Sequence, residues 1–257
     1  METFTGDWLS LRIPVDRAAR SRELAVRFVE ALPENPRIVD LAAGAGANAR
    51  YFESETKWGR ADSSPRWTLV DGDAALLQRA AGLVGALNPV VAELGAGAAG
   101  FAPSEIDGLT ASAFFDLVSD AWFENFVKSM AGAPLFLALS VDGRWRWGPT
   151  HDDDVDIMAC FARDQQRDKG FGPAMGGDSA TAMARILTTA GYTVSTRRSD
   201  WRLDGTHTAL LKALIQTIAG AVTPYDVDAA KWRKSREYDI EQGRLRLCLG
   251  HMDILAM

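Results

Sequence analysis

"IVDLAAGAGANARYF", residues Ile38–Phe52, is the stretch that decides the fold. An apolar run carrying one acid, Asp40, breaks into alanines and glycines and then resumes with a side chain at nearly every position. The pattern predicts a buried strand, a tight loop and a helix from about Ala47. Such a unit aims backbone N–H groups and the positive helix end at a ligand beyond the carboxyl edge of a sheet. Glycine serves there because a Cβ would block close approach, or the positive φ that the turn needs. A nucleotide-like cofactor is the functional reading and a plain β–α turn the structural one.

Working outward, Arg17–Leu32 reads as one amphipathic helix, with Leu24, Ala25, Phe28, Val29 and Leu32 at helical spacing and Pro33 as its stop. After the polar loop "ESETKWGRADSSPR" come strands at Trp67–Asp71, Pro89–Leu94 and Gly108–Ser112, and a helix within "FFDLVSDAWFENFVKSM". A fifth strand, "PLFLALSV", runs through Asp142–Gly143 into "RWRW", a short hairpin signal. Strands alternating with helices imply a doubly wound, mostly parallel α/β sheet of the Rossmann-like kind. A late pair, "YTVSTRR" and the closing "RLRLCLGHMDILAM", completes seven strands. One domain spanning 1–257 is expected, with a helical lid at 1–36 and helical embellishments at about 149–190 and 204–243.

The 257 residues carry a net charge of −6 and a pI near 5.2. That balance disfavours nucleic acid, whose partners carry a basic stripe; "KWRKSR" reads as a solvated helix face. No apolar run reaches the length of a membrane span, and the N-terminus lacks a signal-peptide pattern, so the expected location is cytoplasmic. Cys160 and Cys248 stand far apart, indicating neither a disulfide framework nor a cysteine metal site. The expected partner is a small molecule, with no nucleic acid, membrane or metal.

Two cofactor classes compete for the glycine loop. Gly44–Ala49 can be fitted to the dinucleotide fingerprint, with Asp71 as the ribose acid. Asp40 opposes this, because a carboxylate four residues before Gly44 would repel a pyrophosphate, whereas an ammonium or sulfonium would gain from it.

"VDLAAGAG" resembles the first motif of class I S-adenosylmethionine-dependent methyltransferases, an apolar–acid–apolar run followed by Gly-x-Gly-x-Gly, with Ala42 in place of the first glycine. "DKGFGPAMG", "SDWRL" and "LGHMDILA" are similar to a bacterial subgroup of that family. The resemblance implies S-adenosyl-L-methionine as cofactor. It places Asp40, Ala42, Gly44, Gly46 and Thr110 at the methionine end, Asp71 and Gly72 at the ribose, and Glu93 with Leu94 at the adenine. It also implies an antiparallel final strand. Members that methylate amide or exocyclic amino nitrogens often carry Asn/Asp-Pro-Pro-aromatic after the fourth strand. The chain has Thr110–Phe115 there without proline or asparagine, which takes weight from DNA-amine and glutamine-type methylation; a small-molecule acceptor is expected, with a protein or RNA acceptor as a rival. A NAD(P)-dependent oxidoreductase and a non-catalytic cofactor-binding relative are the alternatives.

Acceptor contacts are expected from Trp8 and Arg12 in the lid and from Phe114, Phe115 and Phe171; the phenylalanines read equally as core or loop residues. Asp116 and Asp120 lie four apart and could share a helix face, Asp116 being the candidate catalytic carboxylate. His151, beside Asp152–Asp154, is the candidate base, although those acids also read as a helix N-terminal cluster. His207 reads as a surface or cap residue, and His251, in the last strand, as structural.

Overall fold

The computed structural model describes residues 6–56, 64–80, 86–96, 106–130 and 132–257. The remainder of the polar loop and the segment following Ala80 lie outside the described residues. Helices α1 (Gly6–Ala19) and α2 (Arg22–Glu30) precede β1 (Arg37–Leu41), α3 (Ala47–Glu55), β2 (Arg66–Asp71), α4 (Ala74–Ala80), β3 (Ala86–Val91) and β4 (Gly108–Ser112). Then follow α5 (Asp120–Ser129), β5 (Leu135–Gly148), α6 (Asp154–Gln165), α7 (Ser179–Thr189), β6 (Val194–Arg198), β7 (Trp201–Leu203), α8 (Thr208–Val222), α9 (Ala229–Glu241) and β8 (Arg246–Ala256).

The strands form one sheet in the order β3-β2-β1-β4-β5-β8-β6, with β7 pairing β8 outside that path. β1 to β5 are mutually parallel, and β8 runs antiparallel to β5, β6 and β7. Alternation along the strands builds two cores, since successive side chains point to opposite faces. Ile38, Leu69, Phe136 and Leu255 pack with α2 and α3 on one face; Val39, Val70, Leu137 and Ile254 pack with α5 and α7 on the other. Burial on both faces is what a parallel sheet requires.

Four expectations change. The helix read as Arg17–Leu32 is two helices, because Ser21 caps α2 by accepting from the Leu24 N–H, and the chain turns there. The third strand lies earlier, at Ala86–Val91; Pro89 is accommodated because β3 is the sheet edge. The Asp142–Gly143 hairpin is a bulge inside a continuous β5, which β8 pairs from Leu135↔Ala256 to Gly148↔Arg246. Asp142 folds over Gly250, where a Cβ would clash with its carboxylate oxygen. The eighth strand, β7, is three residues long, too short for a periodic signal.

The "RDQQRDKGFGPAMGGD" segment, read either as a movable loop or as a connection, is tied to itself and to the turn before α5. The Asp168 carboxylate accepts from the N–H groups of Gly170, Phe171 and Gly172. Ser119 donates to the Phe171 carbonyl, and Met175 N–H to that of Val118.

Candidate functional site

β1 delivers Asp40 and the glycine turn to the carboxyl edge of the sheet. Ala42, Gly44 and Gly46 all take positive φ, at 50°, 51° and 74°, and no side chain caps the first turn of α3. Its N–H groups therefore remain open to a ligand. Ala42 carries a Cβ in a conformation that costs roughly 1–2 kcal/mol for an L-residue. After the extra backbone entropy of glycine, Ala42→Gly is expected to stabilise the chain by about 0.5–1 kcal/mol in urea unfolding.

Asp40 is fully buried. Its Oδ1 accepts from Asn48 Nδ2 at 2.6 Å and Thr110 Oγ1 at 2.7 Å, while its Oδ2 has no hydrogen-bond partner. Burial pushes its pKa up to about 6, against the two hydrogen bonds and the nearby Arg20, with Asp71 adding to the rise. Arg20, itself buried, donates to Ser112 Oγ at 2.8 Å and lies 4.9 Å over the Tyr51 ring. Desolvation lowers its pKa, opposed by Asp16, Asp253 and Asp40.

Asp71 braces the turn. One carboxylate oxygen accepts from Gly44 N–H at 2.8 Å and the other from Asp73 N–H at 2.9 Å. Gly72 follows in a bend, half-buried. On the next strand, Glu93 is exposed just past the end of β3, and Leu94 is buried in a 3₁₀ turn.

Over this edge lies α1. Leu9, Arg12 and Ile13 close a cleft of about 70 Å³ whose other walls include Asp40, Gly44, Asn48 and Ser112. Arg12 also lines an adjoining cavity of about 160 Å³, between α1, the segment after β4, α6, α8 and the β5–β8 bulge. Arg12 pairs with Asp16 at 2.8 Å and sits 5.2 Å over the Trp201 ring, while Trp201 Nε1 donates to Asp16 at 3.0 Å.

Of the expected acceptor and catalytic residues, Trp8, Arg12 and Asp116 line this cavity. Phe114, Phe115 and Phe171 do not: they pack with Trp122, Phe123 and Phe126 in the core. Asp116 sits in a 3₁₀ turn, whereas Asp120 opens α5 and pairs with Arg185 at 2.8 Å, so the two share no helix face. His151 lies at neither opening. Its Nε2 pairs with buried Asp239 at 2.7 Å and its N–H with Asp154, within an ion network joining α6 to α9. Sequence reasoning passed over Arg20, gave Asn48 and Trp201 no role of their own, and read His251 as structural. Only Asn48, in the first turn after the glycines, carried a local signal. Among the described residues, no cluster of three or more His, Cys, Asp or Glu could hold a metal, and no helix is long and apolar enough to cross a membrane.

No protein-family model and no curated protein sequence matches the chain. Solved structures do. A cyclopropane-fatty-acyl-phospholipid synthase-like protein from Lactobacillus casei superposes with a TM-score of 0.55 at 14% identity, covering 99% of this chain and 94% of its own. The YcgJ protein of Bacillus subtilis gives 0.51 at 14%, covering 91% and 96%. A candidate methyltransferase from Bacillus halodurans gives 0.50 at 14%, covering 92% and 97%. The chain has the class I methyltransferase fold. In that methyltransferase fold the glycine turn, the ends of β2 and β3 and the segment after β4 lie along one sheet edge, where open α/β sheets bind ligands.

Proposed function

We propose that the chain transfers a methyl group from S-adenosylmethionine to a small-molecule acceptor. The observation that carries this reading is Asp40 Oδ2, a buried carboxylate oxygen without a partner beside a left-handed glycine turn. A cation satisfies it and a pyrophosphate would be repelled, which favours a cofactor carrying ammonium and sulfonium charge over a dinucleotide. When bound, that cofactor supplies a methyl group already activated by its sulfonium.

The chain's own residues then have few tasks. Asp40 and the turn at Gly44 and Gly46 hold the methionine end, with Ala42 and Thr110 shaping it. Asp71, Gly72, Glu93 and Leu94 serve the nucleoside end. Trp8 and Arg12, on α1, shield the cleft and the cavity from water, so that the acceptor is aligned behind the methyl group. Asp116 is the carboxylate in the cavity wall that takes the acceptor's proton.

Asp40 sets a pH dependence with two opposite signs. Cation binding requires the carboxylate, so S-adenosylmethionine affinity is expected to weaken about tenfold per pH unit below about 6. In the ligand-free chain the raised pKa means that the folded state holds the proton more tightly than the unfolded state. The contribution of Asp40 to stability therefore grows as pH falls from about 6 towards 4, and is lost as pH rises through 6. Asp40→Asn is expected to unfold at higher urea than the natural chain at pH 8 and to lose most cofactor affinity. Paired urea and calorimetric titrations read both.

Methyl-labelled S-adenosylmethionine incubated with the protein and a cell extract, then divided by dialysis, tests the acceptor class. Label is expected in the small-molecule fraction. Label in the macromolecular fraction, or binding without any transfer, would overturn the reading.

A further inference from the structure

We propose that the 160 Å³ cavity takes a single aromatic ring bearing a hydroxyl group, and that His251 holds that hydroxyl. The assignment of the hydroxyl as methyl acceptor rests on the methyl-transfer reading above; the ligand class rests on the cavity alone.

Size and walls point to the ring. A cavity of roughly 150 Å³ accommodates one benzene ring, and a fused bicycle would need more room. Trp8, Trp145, Phe161 and Trp201 contribute to the walls, with Trp145 and Phe161 edge-to-face at 5.7 Å. Flat aromatic faces and edges favour an aromatic guest over an aliphatic one of equal volume. Of the charges at the wall, Arg12 pairs with Asp16, and Asp164 with Arg167 and Lys169, while Asp116 is the carboxylate that takes the acceptor's proton. A neutral hydroxyl that can give up a proton suits this wall, and an anion does not.

His251 points to the hydroxyl. The residue is 3% exposed, its ring lies 5.2 Å from Trp201, and its Nδ1 has no hydrogen-bond partner. A buried polar atom left unpaired costs about 1–3 kcal/mol, which a bound partner would recover. Burial, reinforced by Arg12 and opposed by the Leu249 carbonyl, pushes the ring's pKa down to about 3, so the imidazole is neutral. Its Nδ1 is then a donor or an acceptor according to tautomer, and a hydroxyl, which both donates and accepts, pairs with either. A neutral ring of such low basicity positions the hydroxyl and does not deprotonate it. In the transfer, an oxygen lone pair forms the new O–CH₃ bond, the C–S bond breaks with its electrons onto sulfur, and the phenolic proton passes to Asp116.

Phenol, toluene, cyclohexanol and 2-naphthol, titrated against the full chain and followed by tryptophan fluorescence, test the assignment. Phenol is expected to bind at least tenfold more tightly than toluene or cyclohexanol, and more tightly than 2-naphthol. His251→Leu should abolish the preference for phenol over toluene, and His251→Gln should restore part of it, a pattern that a purely structural role would not produce. Equal binding of phenol and toluene by the natural chain, or a preference that survives His251→Leu, would overturn the proposal. Should the leucine variant fail to fold, Ala221→Leu fills the cavity while keeping His251, and undiminished phenol binding there would overturn it equally. S-adenosylmethionine binding is read separately on the same samples. Its absence alongside a His251-dependent phenol signal would defeat the methyl-transfer reading and leave this one standing.

Discussion

Replacing Arg236 with methionine is expected to destabilise the folded chain by about 3 kcal/mol or more, the usual cost of breaking a buried ion pair from one side. Arg236 is fully buried between α6 and α9. It pairs with both oxygens of Asp154, donates to the Pro149 carbonyl at 2.7 Å and to Asp239 at 3.3 Å, and lies 4.8 Å over the Trp147 ring. Without the guanidinium, Asp154 keeps Trp232 and the His151 N–H, and Asp239 keeps His151 and Arg244. Those partners do not restore a charge at Asp154. Adding Asp154→Asn to the variant should therefore recover a large part of the loss, because the uncompensated carboxylate is removed. Urea unfolding of the single and double variants measures this. A single variant within 1 kcal/mol of the natural chain would contradict the account of the α6–α9 junction.

Asp71→Ala is expected to weaken S-adenosylmethionine binding by about 100-fold or more, through the loss of two charge-assisted hydrogen bonds worth about 1.5–3 kcal/mol each. The resemblance makes Asp71 the expected ribose ligand. Its geometry adds a second duty, since it holds the Gly44 and Asp73 N–H groups and thereby fixes the turn that lines the cleft. The alanine variant should consequently lose stability as well as affinity, and Asp71→Asn, with one acceptor oxygen, should fall between. Calorimetric affinity and the urea midpoint check the two together. An affinity unchanged by Asp71→Ala would place the cofactor elsewhere.

The sheet was legible because its strands are short apolar runs buried on both faces, each followed by turn residues, and the glycine turn because its residue types are dictated by backbone geometry. The Asp142–Gly143 signal misled because local turn chemistry looks the same in a hairpin and in a bulge. What decides between them is β8, a strand about a hundred residues further along that pairs through both halves of β5. The histidines show the same limit. The acids beside His151 read either as a helix N-terminal cluster or as poising a base, and they open α6, while its partner Asp239 comes from α9. His251 has no suggestive neighbours in sequence, and its surroundings, Arg12 and Trp201, are brought to it only by folding. Phe114 and Phe115 read equally as pocket or core, since either environment accepts an aromatic side chain after a strand.

The central claim is that Asp40 and the glycine turn bind a cationic cofactor. Side-by-side calorimetric titration of the purified protein with S-adenosylmethionine, S-adenosylhomocysteine and NADH tests it most directly. Binding of the first two and not of NADH is the predicted result. Binding of NADH alone would contradict the reading of Asp40 and turn the chemistry towards hydride transfer.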